Sequence, residues 1–420
     1  MRQSLVRDYI LEWTKRSLPR GIRRELEVHS RRDRVISIIG PRRAGKTYYF
    51  YQLLGGERES SLYLNFEDTR LMDVDFREVR DLIRVYLELR GSFPVSLYLD
   101  EVQNVERWEA AVRELLDLQR YKIFVTGSSS KLLSREIATH LRGRTFSYLL
   151  LPFSFREFLK ARKVAVDDLS MDEAAGIRSL LREYLEFGGF PEVVLEEAEK
   201  DRILKEYFEM ILFRDVVERH KLRNIGLARF LTSFLLQNFT GEISVNKILK
   251  SLRPQRFGKN TLYSYFDKIQ DSIVLFTLNR FSLRVYQRES WPKKIYVCDT
   301  GLTRVARFSE DIGKLMENTV FLELLRLTNK KPLLEIYYWR SSREREVDFL
   351  LKEGTRIKHL IQVTYASGKD EIEEREIKSL IKASKETRCR NLTVITWNYE
   401  DKTEVEGRII KFIPLWKWLL

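Results

Sequence analysis

The chain has 420 residues, a formal net charge of +14, 44% hydrophobic residues and two cysteines, Cys298 and Cys389. That hydrophobic fraction excludes a disordered chain, and two distant cysteines exclude a disulfide framework and fit a reducing compartment. The positive excess suits an anionic partner, nucleic acid being the usual one, but it equally suits a plain solvated basic surface.

Residues 1–34 read as helical and basic, with Arg20, Arg23, Arg24, Arg31, Arg32 and Arg34 close together. The first sixteen residues are charged throughout and lack the apolar core of a signal peptide. No stretch approaches the ~20 apolar residues that span a bilayer. The expectation is a cytoplasmic protein with no membrane partner.

Val35 to Ile39 is an apolar run ending at Gly40, as a buried strand entering a phosphate loop should be. Gly40-Pro41-Arg42-Arg43-Ala44-Gly45-Lys46-Thr47 then fits G-x-x-x-x-G-K-[ST] in full. Glycines allow the tight turn that aims backbone N–H groups at phosphate oxygens, and the helix expected over Tyr48 to Leu53 adds its positive end. Lys46 would reach the terminal phosphates and the Thr47 hydroxyl would ligate Mg²⁺. The pattern therefore predicts ATP, with Mg²⁺, as the bound nucleotide.

Ser61 to Phe66, Ser96 to Leu99 and Lys122 to Thr126 are further strand candidates, with helical stretches such as Trp108 to Gln119 between them. Strand–helix alternation predicts a parallel sheet. Leu97-Tyr98-Leu99-Asp100-Glu101 describes a buried strand delivering two acids to its C-terminal edge, where ligands sit in open α/β sheets. Asp100 would hold the Mg²⁺ and Glu101 would act as general base. Phe124 to Ser129 ends a strand in small hydroxylated residues. Thr126 or Ser128 could lie near the γ-phosphate there, or the stretch could be a plain turn. Leu141-Arg142-Gly143-Arg144 offers an arginine for the transferring phosphoryl group, in the same or a neighbouring subunit, or else a surface ion pair.

Eight stretches in order, GPRRAGKT, YLNFEDTRL, LYLDEVQNVERWE, VTGSSSKLLS, LRGRTFSYLLLPFSFREFL, YLEFGGFPEVV, IYVCDTGL and GKLMENTVFLELL, resemble the prokaryotic, mainly archaeal, AAA+ superfamily ATPases that carry a C-terminal domain of unknown function with a restriction-endonuclease-like fold. The resemblance implies an AAA+-type core, a helical lid and a winged helix. It gives Lys46, Thr47, Asp100 and Glu101 the roles just argued, makes Thr126 to Ser128 the sensor strand end, and makes Arg144 the arginine after the sensor helix.

From Pro152 to about Asn224 the pattern turns helical, interrupted at Gly188, Gly189 and Pro191. Within 241–268, a helix expected over Val245 to Ser251, a turn with Pro254 and Gly258 and a helix from Asn260 match helix-turn-helix spacing. Six basic side chains stand against two acids in that stretch. Arg256, Lys259, Asn260 and Thr261 would make nucleic-acid contacts. The alternative is a winged helix used as a lid or for protein contacts.

The chain from about Leu315 returns to mixed α/β. Glu323 on a helix, Asp348 in EVDFLL and Gln362 in LIQVTY fall where a PD-(D/E)xK nuclease puts its acids. The lysine position is Thr364, which cannot replace a cation. The expectation is a nuclease fold kept for binding or assembly, without nuclease activity. The terminal cluster around Trp416 and Trp418 reads as a packed strand or short helix.

The expected architecture is α/β: a P-loop AAA+-type core with an N-terminal helical segment over 1–150, a helical lid over 151–224, a winged-helix-like domain over 225–300 and a PD-(D/E)xK-like α/β domain over 301–420. The expected function is Mg²⁺-dependent ATP hydrolysis coupled to DNA, a protein partner or a second copy. The rival is an ATP-gated nucleic-acid-binding or assembly switch with negligible turnover.

Overall fold

A computed structural model describes residues 2–19, 21–72, 74–128, 141, 143–166, 171–244, 248, 257–290, 292–341 and 345–420. The chain forms two compact units, the first of residues 1–150 with 271–273 and the second of 151–270 with 274–420.

The first unit is a five-stranded parallel sheet with helices. Its elements are α1 (Arg2–Lys15), β1 (Val35–Ile39), α2 (Lys46–Leu54), β2 (Ser61–Asn65), α3 (Val79–Arg90), β3 (Ser96–Asp100), α4 (Trp108–Asp117), β4 (Lys122–Gly127) and β5 (Thr145–Leu149). The strand order is β2-β3-β4-β1-β5, with every neighbouring pair parallel. All five residues of β1 and of β3 are buried, and apolar side chains dominate both strands. The four strands expected from sequence are present. β5 is an addition at the sheet edge; its residues are half-buried or exposed, which left no apolar run to read. The helical reading of 1–34 holds only for α1. The described residues from 17 to 34 contain no helix, and Pro19 near the end of α1 is a breaker of the expected kind. This irregular stretch is pinned on α2: Gln52 donates to the Ile22 carbonyl at 2.5 Å, and Tyr49 donates to the Leu26 carbonyl at 2.9 Å.

The second unit opens with helices α5 (Phe155–Ala161), α6 (Met171–Phe187), α7 (Pro191–Leu195) and α8 (Lys200–Met210), the last continuing as a π-helix over Ile211–Glu218. Then come α9 (Ile225–Gln237), β6 (Glu242–Ile243), α10 (Lys259–Asp271), β7 (Leu275–Leu278), α11 (Val285–Ser290) and β8 (Lys293–Val297). β8 is the middle strand of a three-stranded antiparallel sheet, β6-β8-β7. The helix expected over Val245 to Ser251 lies outside the described residues apart from Ile248, as do Arg256 and Pro254. Arg20, Ser129 and Arg142 lie outside them too.

The chain finishes with α12 (Ile312–Lys330), β9 (Leu334–Arg340), β10 (Glu346–Glu353), β11 (Arg356–Val363), α13 (Glu374–Thr387), β12 (Leu392–Thr396), β13 (Asp401–Val405), β14 (Arg408–Pro414) and α14 (Leu415–Leu419). These strands form one mixed sheet, β13-β14-β12-β11-β10-β9. α13 buries Leu380 and Ile381 against Val347, Leu350, Leu360 and Val394. Trp416 is buried in the short terminal helix.

The glycine break inside the helical region is a backbone latch. Asp299, buried at the end of β8, accepts from the Gly189 N–H at 2.7 Å and the Gly301 N–H at 2.9 Å. A Cβ on Gly189 would lie 2.3 Å from the Phe153 carbonyl oxygen, and one on Gly301 would lie 2.1 Å from the Phe187 carbonyl oxygen. Only glycine admits these approaches. The stretches YLEFGGFP and CDTGL are thus two halves of one contact.

Candidate nucleotide site of the first unit and ion cluster of the second

The P-loop leaves β1 at the C-terminal edge of the parallel sheet. Gly40 stands where a Cβ would lie 2.0 Å from the Leu150 carbonyl oxygen, so no side chain fits. Arg43 and Gly45 both have positive φ, 68° and 93°, which turns the loop around its own amides. Such a run of turned N–H groups before a helix forms an anion cradle, and α2 begins at Lys46. The loop therefore fits a polyphosphate.

Lys46 is buried, and its ammonium donates to the Gly40 and Pro41 carbonyls at 3.2 Å each. It also pairs with Glu101 at 3.4 Å. Thr47 donates its hydroxyl to Asp100 Oδ2 at 2.8 Å. The two halves of the expected site thus meet directly. Thr126 of β4 donates to the other Asp100 oxygen and accepts from the Glu101 N–H at 2.9 Å. It braces both acids from the adjacent strand. Ser128 is buried nearby in sequence. Arg42 pairs with Glu67 at 3.0 Å.

Burial pushes the Asp100 carboxyl above its ordinary range, and the charge of Glu101 adds to this; the Thr126, Tyr63 and Thr47 hydroxyls pull the other way. Burial acts on Glu101 in the same sense, but the Lys46 ammonium and the Gln103 amide outweigh it, and the Glu101 carboxyl lies below its usual value. Glu101 also holds φ 53°, a left-handed conformation rare for a non-glycine residue.

Three side chains here were not legible from spacing. Tyr63 of β2 donates to Asp100 Oδ2 at 2.7 Å and stacks on Trp13 of α1, with ring centroids 4.2 Å apart. Arg24 is buried while Arg23 beside it is exposed, and its guanidinium donates to the Ala44 carbonyl in the P-loop at 2.8 Å. Gln103 donates to Glu101. No motif marks any of them; each is chosen by which segment lies alongside.

Arg144 is not brought to this site within the chain. It immediately precedes β5, and its carbonyl accepts from the N–H of Val35, the first residue of β1. That is the edge of the sheet opposite the P-loop, roughly 16 Å away along a five-residue strand. Its guanidinium pairs with Asp117 at 2.7 Å.

In the second unit, Lys259, Asn260 and Thr261 are exposed at the start of α10. The nuclease pattern is rearranged. Glu323 is not beside Asp348: it pairs with Arg156 at 2.7 Å and Arg326 at 3.2 Å. The acid of α12 that reaches Asp348's surroundings is Glu317. The buried Lys294 of β8 donates to Glu317 at 2.9 Å and to Asp348 at 3.2 Å, and pairs with Glu346 at 2.6 Å. Burial alone would lower the Lys294 pKa, but the surrounding acids hold it well above its ordinary value. Burial raises Glu317 to about 7, with Asp348 adding to the shift and Lys294 opposing it. Gln362 is buried, and among the described residues its Oε1 has no hydrogen-bond partner.

Residues 32–159 match a family described as an AAA domain, while 178–311 and 312–418 match two families described as domains of unknown function. The uncharacterized protein MJ1544 of Methanocaldococcus jannaschii is 38% identical over 411 residues, covering 95% of this chain and 91% of that protein. An uncharacterized protein of Haemophilus influenzae is 28% identical, covering 92% and 94%. Among solved structures, the Walker-type ATPase of Pyrococcus abyssi overlays 65% of this chain and 90% of its own at 15% identity, with a TM-score of 0.39. Among the described residues no helix is long and apolar enough to cross a membrane. The chain belongs to the same family as the Methanocaldococcus jannaschii protein, and its N-terminal part is an AAA domain with a P-loop ATPase fold.

Proposed function

We propose that the chain is a cytoplasmic Mg²⁺-dependent ATPase whose turnover drives binding or release of DNA or a protein partner. The observation that carries this reading is the 2.8 Å bond from Thr47 to Asp100 with Glu101 alongside on Lys46. Thr47 and Asp100 are the residues to hold Mg²⁺, which when bound polarises the terminal phosphate and offsets its charge. The turned P-loop amides and Lys46 bind the phosphates. As Lys46 turns to the phosphates it leaves Glu101, freeing that carboxylate. Glu101 then takes a proton from water as the water oxygen bonds to the γ-phosphorus and the β–γ bridging P–O bond breaks, giving ADP and inorganic phosphate. Thr126 keeps the Asp100 carboxylate aimed and holds the backbone of Glu101. Arg144, on the far sheet edge, acts only on a nucleotide held by a second copy of the chain. Phosphate release by the full chain with Mg²⁺, with and without duplex DNA, tests the proposal; no turnover in either condition would sink it.

A second reading rests on the exposed Lys259, Asn260 and Thr261 at the start of α10. If this helix end meets a phosphate backbone, duplex affinity falls linearly on a log–log scale with salt, and Lys259→Ala reduces that slope by about one. Fluorescence anisotropy at several salt concentrations reads this directly. An unchanged slope removes α10 from any nucleic-acid interface.

A further inference from the structure

A nuclease centre of the pattern Asp348–Gln362 draws its carboxylates around a divalent cation, with a lysine nearby to activate water. Here the lysine position is Thr364. The ammonium that reaches the acids comes instead from β8, a strand of the other sheet in this unit.

Three carboxylates surround the Lys294 ammonium. It donates to Glu317 at 2.9 Å and to Asp348 at 3.2 Å, and it forms an ion pair with Glu346 at 2.6 Å. Two of the acids are held by neighbours as well: Tyr296 donates at 2.6 Å to the same Glu317 oxygen that Lys294 meets, and the Val363 N–H donates to Asp348 Oδ2 at 2.9 Å. A metal drawn into the same carboxylates would sit within a few ångströms of the ammonium, two like charges in a buried site.

The backbone that carries Lys294 is fixed as well. It lies in the middle strand of β6-β8-β7, in register with Glu242 on one side and Leu278 on the other. Its side chain is 4% exposed. The residue after Glu317 in α12 is tied to the same strand, because the Asn318 amide accepts from the Val297 N–H at 2.9 Å and donates to the Val297 carbonyl at 3.1 Å. One residue beyond the ladder pair Phe349–Ile361, Gln362 falls opposite Asp348. Its buried carbonyl oxygen, without a hydrogen-bond partner among the described residues, is what a metal ligand looks like when it holds no metal.

We infer that the Lys294 ammonium holds the place of the divalent cation, so that Glu317, Glu346 and Asp348 form a closed internal ion cluster fastening β8 and α12 to β10. The domain keeps the frame of a nuclease centre and uses it as a joint. The adjoining cavity of about 350 Å³, whose lining includes Lys294, Arg340 and Glu346, is then a polar cleft beside that joint.

The test is Mn²⁺ binding to the full, nucleotide-free chain, followed by electron paramagnetic resonance, with folding checked by circular dichroism. Wild type and Asp348→Asn are expected to give the same titration, as are wild type and Glu317→Gln. Lys294→Met is expected to gain a Mn²⁺ site at least 10-fold tighter than any in wild type, and Lys294→Met with Asp348→Asn is expected to lose it. Mn²⁺ binding by wild type that Asp348→Asn or Glu317→Gln removes overturns the inference. So does a folded Lys294→Met chain with no new site. Should Lys294→Met not fold, the comparison of wild type with the two isosteric carboxamides decides alone. None of these readouts depends on ATP turnover in the first unit.

Discussion

Replacing Glu101 by glutamine is expected to leave ATP binding intact and to slow hydrolysis by about 10²–10⁴-fold, the usual contribution of a positioned general base. The amide keeps the shape of the carboxylate, so the P-loop and Asp100 stay in place. Lys46→Ala is expected to do the reverse and act on binding. It removes a charge-assisted contact worth about 2–3 kcal/mol, on the order of 10²-fold in affinity. It also leaves Glu101 buried without its ammonium partner. Binding of a fluorescent ATP analogue and single-turnover phosphate release separate the two effects. The position of Arg144 adds a distinctive result. A mixture of Arg144→Ala and Lys46→Ala chains should recover part of the turnover that each lacks, because a site with an intact P-loop can then meet an intact arginine from its neighbour. If Glu101→Gln turns over at the wild-type rate, the assignment of the base is wrong. If the mixture recovers nothing, Arg144 is a structural ion pair with Asp117.

The second large effect lies far from the chemistry. Asp299→Ala orphans two buried N–H groups, those of Gly189 and Gly301. At about 1–3 kcal/mol for each unsatisfied donor, the loss is on the order of 4 kcal/mol. Burial lifts the Asp299 carboxyl from an ordinary 3.8 to about 7, although both N–H donors oppose the shift. A folded pKa above the unfolded one means that the folded state binds the proton more tightly. The corresponding stability is fully present below about pH 4 and is lost as pH rises through about 7. Asp299→Asn removes this titration and one of the two acceptors. Its deficit against wild type in urea unfolding should therefore be larger at pH 5 than at pH 8. A deficit that stays constant, or grows with pH, would mean that Asp299 is ionised throughout.

Legibility followed the range of the interaction. Gly40 to Thr47 could be read because the phosphate loop is a local device: eight consecutive residues set its turn, its amides and its lysine. Asp100 and Glu101 could be read because a buried strand ending in two acids is also local. The meeting of Thr47 with Asp100, 53 positions apart, was implied only through a sheet order. Tyr63 and Arg24 stayed hidden because any buried strand tolerates a tyrosine and any basic stretch an arginine. Their roles come from the neighbour that the fold supplies.

The C-terminal acids show the limit most clearly. Glu317 and Glu323 lie on one helix, six residues apart, so their side chains point about 120° apart around its axis. Sequence spacing could not say which of these faces meets Asp348, and Glu323 was the wrong choice. Lys294 was invisible for the same reason at longer range, since it arrives from another sheet. By itself, then, the sequence determined the parallel P-loop core, the acids of the candidate site and the glycine positions, because each is written in residues that touch their neighbours along the chain. Only the tertiary structure decided that Tyr63 and Thr126 brace Asp100, that Arg144 faces away from its own P-loop, and that a lysine from β8 fills the acid cluster. Those outcomes depend on which surfaces are buried together, and burial is a property of the packed chain.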